Sequence, residues 1–493
     1  MASASVNIIS DCFIKPKFIS EQAKKPTYFS PWDLAMINVN YIQKGLLYPL
    51  PDDQNFSITT FLDDLKDSLS ATLTHFHPLA ARLATLKQQN PPSLTIFINP
   101  DNSQGARFIH SSVNLTVDDI LTPNDVPLVV QSFFDHHKAI DHDGHEQSLL
   151  SVQVTELIDG IFIGCSINHM VVDGASFWHF FNSWSEVFQS KRKNDLLDPI
   201  SRPPVIERWV PDGSDPILTL PFAHEDEFID RPYPPVLRER IFRFSSDSLA
   251  KLKAKVNSEC NTTKISTLQS LSALVWRCVT RARRFPADKE TGCRYGFSPV
   301  NMSRANATWA RLKFYKPSRF KFKSKLKILT WIWLAVNNRS RLSPPLPDNY
   351  LGNCIQAMRV TATAGELLEH SIGWTAWRLH ELVVNHGDKE IRAYMDSWVK
   401  SPFVYKMGVF FDGNSIQMGS SPRFDMYGNE FGLGKGLAVL SGYANKFDGK
   451  VTLYAGREGG GSMDLEVCML PENMAALESD EEFMSVVRGE NGF

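Results

Sequence analysis

His169 follows the apolar run Ile161-Phe162-Ile163-Gly164-Cys165-Ser166-Ile167, with only Asn168 between them. Asp173 stands four residues further on, and Gly174 comes directly after it. Imidazole ionises near neutral pH. A histidine at the end of a buried strand can therefore take a proton from an alcohol or amine and later return it. Asp173 reads as a structural acid that fixes the turn or pairs with a distant cation, and Gly174 permits a tight backbone path. An isolated histidine in this setting is more often a satisfied core residue, so the motif draws its weight from a second one far downstream.

Other reactive residue types point nowhere comparable. Asp135, His136, His137, His142, Asp143 and His145 lie close in sequence, but without helical His-x-x-x-His spacing or a cysteine partner. They read as a solvated loop, and no metal site is expected. The seven cysteines are dispersed, with no Cys-x-x-Cys pair, as in a reduced, cytosolic protein. The glycine-rich Gly456-Arg457-Glu458-Gly459-Gly460-Gly461-Ser462 lacks the Lys-Ser/Thr ending of a phosphate loop and reads as a turn. No Gly-x-Ser-x-Gly elbow supports a serine hydrolase.

The elements that must position His169 are legible from periodicity. Residues 149–157 alternate as a strand, and 161–168 form a continuously apolar strand suited to a sheet interior. Residues 176–190 predict a helix with Phe177, Phe180, Trp184 and Phe188 on one face. Residues 61–70 and 73–86 carry helical spacing, broken near Pro78. From 191 to 235 prolines crowd in, which predicts a crossover linker rather than a packed element. Helices over 246–256 and 266–281 and strands near 408–411, 437–441 and 450–454 complete the second half. A chain of 493 residues is too long for one ordinary core. The reading is α/β in two lobes: 1–190, then a linker over 191–235, then 236–493.

Charge excludes some functions. Fifty-two basic against 54 acidic residues leave no global positive field, so no nucleic-acid partner is expected. The first residues resemble no secretory signal, and the apolar run 328–336 is too short to span a bilayer. A cytoplasmic protein without a membrane partner follows as the expectation. Residues 302–335 hold nine basic residues and no acid, then turn abruptly apolar at Ile328. With Val-Asn on both flanks, 302–337 reads as a foreign insert that packs poorly.

Near the C-terminus stands Tyr427-Gly428-Asn429-Glu430-Phe431-Gly432-Leu433-Gly434-Lys435-Gly436. Together with His169-x-x-x-Asp173 it resembles the paired HxxxD and DFGWG motifs of the plant BAHD acyltransferases. Ser30-Pro31-Trp32-Asp33, Pro78-Leu79-Ala80-Ala81-Arg82-Leu83, residues 269–276, Asn338-Arg339-Ser340-Arg341-Leu342 and Pro347-Asp348-Asn349-Tyr350-Leu351-Gly352-Asn353 stand in family order. The resemblance implies two chloramphenicol-acetyltransferase-like domains with a solvent channel at their interface. It implies His169 as general base, with Asp173 turned away in a supporting role. It implies acyl-CoA as co-substrate with no bound cofactor, an alcohol or amine acceptor that is a plant specialised metabolite, and a monomer. Ser420 is a candidate oxyanion donor, and Trp32 and Phe177 are candidates for the pocket. Glu430, Gly432 and Gly434 would form a structural loop whose acid pairs with Arg339.

The second motif departs from the family pattern. Glu430 replaces Asp, Leu433 replaces Trp, and Gly436 replaces Pro, so a change in stability or pocket shape is expected rather than lost activity. Rival readings are a carrier-dependent condensation domain, the same fold used as a lyase on an acidic metabolite, and a catalytically impaired family member.

Overall fold

The computed structural model describes residues 5–192, 200–232, 235–285, 329–406, 408 and 412–488. The N-terminal half contributes β1 (Asn7–Ile14), β2 (Thr27–Tyr28), β3 (Ile42–Pro49), β4 (Arg82–Gln89), β5 (Pro92–Asn99), β6 (Ala106–Ser112), β7 (Leu150–Glu156) and β8 (Gly160–Ile167). The C-terminal half contributes β9 (Arg238–Phe244), β10 (Leu329–Asn337), β11 (Ile355–Thr363), β12 (Ser415–Gly419), β13 (Ala438–Ser441), β14 (Lys450–Ala455) and β15 (Met463–Met469).

Two six-stranded sheets result, ordered β1-β6-β7-β8-β3-β13 and β11-β10-β12-β14-β15-β9, with a small β2-β5-β4 sheet beside the first. Within the two large sheets only β6–β7, β10–β12 and β12–β14 run parallel. Every residue of β8 is buried, as its unbroken apolar run predicts for a strand covered on both faces. Helices Ile58–His75 and Gly174–Arg192 pack on each other against the first sheet. Phe61, Leu65, Leu69 and Leu73 meet Phe177, Phe180, Phe181 and Trp184 in its core. Helices Ser246–Glu259, Thr267–Ala282 and Ile372–Val384 cover the second sheet around Trp276, Leu274 and Leu453.

The lobes are not cleanly divided by sequence. β13 belongs to the C-terminal half yet closes the edge of the first sheet, pairing antiparallel with β3 from Ala438↔Leu47 to Ser441↔Lys44. The described part of the proline-rich segment is packed, contrary to the linker expectation. Leu220 exchanges two backbone hydrogen bonds of 2.9 Å with Leu94, and Leu220 and Phe228 are buried in the first core. Proline removes donors without removing apolar side chains, so an irregular segment can still bury Leu and Phe.

Two other expectations need correction. The helical reading of 73–86 fails after His75. A short turn, His77–Ala80, leads into strand β4, because Pro78 ends the helical ladder and the chain resumes extended. The suspected insert is structural at its C-terminal end. β10 is interior to the second sheet, paired with β11 over nine residues and with β12 over four. Thr330, Ile332 and Val336 are buried, Ile332 in the core with the helices, while Trp333 and Ala335 line the cavity shared with the other lobe. The abrupt texture change at Ile328 therefore announces a two-faced strand. Residues 302–328 of the same expectation lie outside the described residues, as does most of the strand expected over 408–411.

Candidate active site

β8 ends at Ile167, and the chain turns at once through 168–173 into the helix Gly174–Arg192. Asp173 begins that helix: its carbonyl accepts from Phe177 N at 2.8 Å and its Oδ1 from Ser176 N at 3.0 Å. The same carboxylate takes a two-pronged ion pair from Arg339, with Nη1 donating to Oδ2 at 2.6 Å and Nη2 to Oδ1 at 3.0 Å. Cys354 N donates to Oδ2 at 3.1 Å. Burial alone would raise the Asp173 pKa. The Arg339 charge and these donors outweigh it and hold the carboxyl below its ordinary value. Asp173 is thus an ionised anchor, engaged by Arg339 and set apart from the residues that line the cavity beside His169.

The backbone of His169 is gripped from both sides. Its N–H donates to Asp141 Oδ1 at 2.6 Å, and its carbonyl accepts from Asn353 Nδ2 at 2.6 Å. Asn353 is held in turn by Asp33, whose Oδ1 accepts from Asn353 N at 2.8 Å and Nδ2 at 2.9 Å. Asp33 also closes a capping box with Ser30. From the proline-rich segment Arg208 donates to Val171 O at 3.0 Å and stands 3.3 Å from Asp33 Oδ2. The two conspicuous segments at 30–33 and 349–353 therefore meet beneath the histidine and frame it. Burial pushes the Asp141 carboxyl well above the ordinary range, against the pull of the His169 and Met170 N–H groups.

The imidazole itself lines a cavity of about 110 Å³ between the lobes. Met36, Val39 and His169 come from the first lobe; Trp333, Ala335, Ile355, Ala357, Gln417 and Lys450 come from the facing side of the second sheet. Tyr405 and Asn445 complete the wall. His169 Nδ1 is buried without a well-aligned hydrogen bond, which leaves Nε2 as the nitrogen presented to the cavity. Burial lowers the His169 pKa below its ordinary value; its own carbonyl, Asp173 and Asn353 oppose that, and Lys450 reinforces it. The ring is consequently neutral at neutral pH, the state a general base requires.

The Transferase family model matches residues 4–297 and 316–484. The chain belongs to that family, the BAHD acyltransferases. An uncharacterised acetyltransferase of Arabidopsis thaliana is 32% identical over 488 residues, which cover 98% of this chain and 99% of the relative. Among solved structures, vinorine synthase aligns with a TM-score of 0.67 at 18% identity, covering 98% of both chains. A TRI101 structure from F. sporotrichioides complexed with coenzyme A and T-2 aligns at 0.64 and 15%, covering 94% of this chain and 98% of that one. At these identities the two structures establish the two-domain α/β fold of the BAHD family, and no more.

The geometry sorts the remaining candidates. Trp32 does not line the cavity. It is buried against Trp209, ring centroids 4.9 Å apart, in a cluster with Leu342, Tyr350 and Met395. Phe177 is fully buried and stacks on Phe181, so it is core rather than pocket wall. Ser420 follows β12 with φ 68° and is not among the cavity-lining residues, so the structure does not bring it to His169. Glu430 does not pair with Arg339. It is exposed, whereas Arg339 is committed to Asp173. The loop is anchored by its neighbours. Phe431 packs on Trp184 at 4.7 Å and on Phe181 at 5.5 Å, while Gly432 and Gly434 take φ of 70° and 80°, open to glycine. Phe431 supplies the aromatic anchor that Leu433 lacks, and the loop delivers β13 to β3.

Sequence reasoning assigned no role to Asp141, Trp333 and Lys450, and met Asn353 only as the end of a segment in family order. Asp141 sat in a histidine-rich stretch read as a solvated loop. Here Asp141 is fully buried, and His136 bonds Ser148 at 2.9 Å. Lys450 did carry a signal, a cation opening a mostly apolar strand.

Proposed function

We propose that this chain is an acyl-CoA-dependent O- or N-acyltransferase acting on a plant specialised metabolite, with His169 as general base and no covalent acyl-enzyme. A thioester carbonyl is already activated, so one positioned base suffices. His169 Nε2 takes the proton of the acceptor hydroxyl or amine as its oxygen or nitrogen bonds to the carbonyl carbon. The tetrahedral adduct then collapses, the carbon–sulfur bond breaks, and the departing CoA thiolate receives that proton from the imidazolium. Two substrates meeting in one narrow site gain much of the remaining rate from proximity. The observation that carries this reading is the neutral His169 ring in the interlobe cavity, held by Asp141 and Asn353. The family membership and the coenzyme A bound by a TRI101 neighbour support it.

The test is a panel of acyl-CoA donors incubated with mixed plant metabolites and followed by mass spectrometry. Acylated product with stoichiometric free CoA, and an enzyme of unchanged mass, is the expected result. An acylated enzyme or the absence of any CoA-dependent product rejects the reading.

A further inference from the structure

Lys450 opens β14 beneath the cavity. In register, Trp333 of β10 lies beside Gln417 of β12, Gln417 beside Lys450, and Lys450 beside Cys468 of β15. This row faces the first lobe, and its first three members line the cavity with His169. Gly419 makes room for the lysine, since a Cβ there would lie 2.9 Å from Lys450 Nζ.

No carboxylate among the described residues pairs with the ammonium, which feels Glu466 only at longer range. Three lysines, Lys44, Lys446 and Lys450, share the interlobe space with two carboxylates, Glu239 and Glu466. Both carboxylates are already engaged. Lys446 pairs with Glu239 and lies 4.0 Å from Glu466. Glu466 accepts from Ser441 at 2.6 Å and from Tyr454 at 2.8 Å, and Lys44 donates to Tyr454 Oη at 2.8 Å. The Lys450 backbone N–H donates to Phe447 O at 3.0 Å, but its ammonium makes no hydrogen bond or ion pair with any described residue. Its register partner, Cys468, is a neutral thiol whose pKa burial drives well above the ordinary value. Desolvation lowers the Lys450 pKa to about 8, so the residue costs stability where it stands.

An unpaired cation on an otherwise mostly apolar wall is half of an ion pair. We infer that Lys450 is the specificity-determining residue of this cavity, and that one of the two substrates reacting at His169 carries a carboxylate that binds its Nζ. The inference rests on the acyltransferase reading and narrows it to a class: a dicarboxylic acyl donor or an acceptor acid. A charge-assisted hydrogen bond within a sheltered site is the interaction that separates such a substrate from its neutral analogue.

Calorimetry on the full chain tests it in two arms, with wild type and Lys450→Met compared in each. The donor arm measures malonyl-CoA against acetyl-CoA; the acceptor arm measures benzoate against benzamide with CoA present. In one arm wild type is expected to bind the carboxylate about tenfold or more tighter than the neutral partner, and Lys450→Met to lose that preference. Gly419→Ala, which crowds the ammonium, should weaken the same preference and provides a second variant. No preference in either arm, or one that survives both substitutions, overturns the inference. Thioester binding without any carboxylate preference rejects Lys450 alone, whereas failure of both thioesters to bind wild type rejects the acyltransferase reading.

Discussion

At the scale of single residues the account depends on how two buried groups are charged. His169 is kept neutral by burial, while Asp173 is kept ionised by Arg339 despite burial. A general base acts in its deprotonated form. The rate constant kcat/KM should therefore rise with pH through an apparent pKa below about 6.5, the ordinary histidine value, and then level off. A pH–rate profile checks this, and a limb rising through a pKa above that value would mean that another group is the base. Much of this site was legible from types and spacing. A histidine closing an apolar strand, an acid four residues on and a glycine after it led directly to the observed turn. The grip of Asp141 and Asn353 on the His169 backbone was not legible, because those contacts join residues far apart in the chain and have no local period.

At the scale of elements, the helix after the motif and the hairpin-like approach of Arg339 form one unit. Arg339 and Asp173 are only 2% and 0% exposed, so removing one partner strands the other as a buried charge. Arg339→Ala should destabilise the protein by about 3–5 kcal/mol, read from the urea midpoint. Glu430→Ala, at an exposed position with no ion partner among the described residues, should change stability by no more than about 0.5 kcal/mol. The opposite ranking would restore the pairing of Arg339 with Glu430 that the motif alone suggests. Strands β7 and β8 and the aromatic helix were legible because their periods are long and clean. β10 was not: a basic run adjoining two tryptophans looks foreign until the sheet shows the strand paired along both edges.

At the scale of the whole molecule, loop residues of the N-terminal half and the second sheet of the C-terminal half enclose the cavity. β13 crosses from the C-terminal half to the edge of the first sheet, and Lys44, Lys446, Glu239 and Glu466 bring charges from both lobes into one buried group. The two-lobe architecture was foreseeable from length and mixed periodicity. The crossing of β13 and the packing of the proline-rich segment were not, since both are decided by which partner buries them. The central claim concerns the single imidazole in that cavity. Acyl transfer from an accepted acyl-CoA should be measured for His169→Ala beside wild type, with matched circular dichroism. The account predicts a loss of about 10²–10⁴-fold in kcat with the fold intact. Undiminished turnover by the folded variant would contradict it.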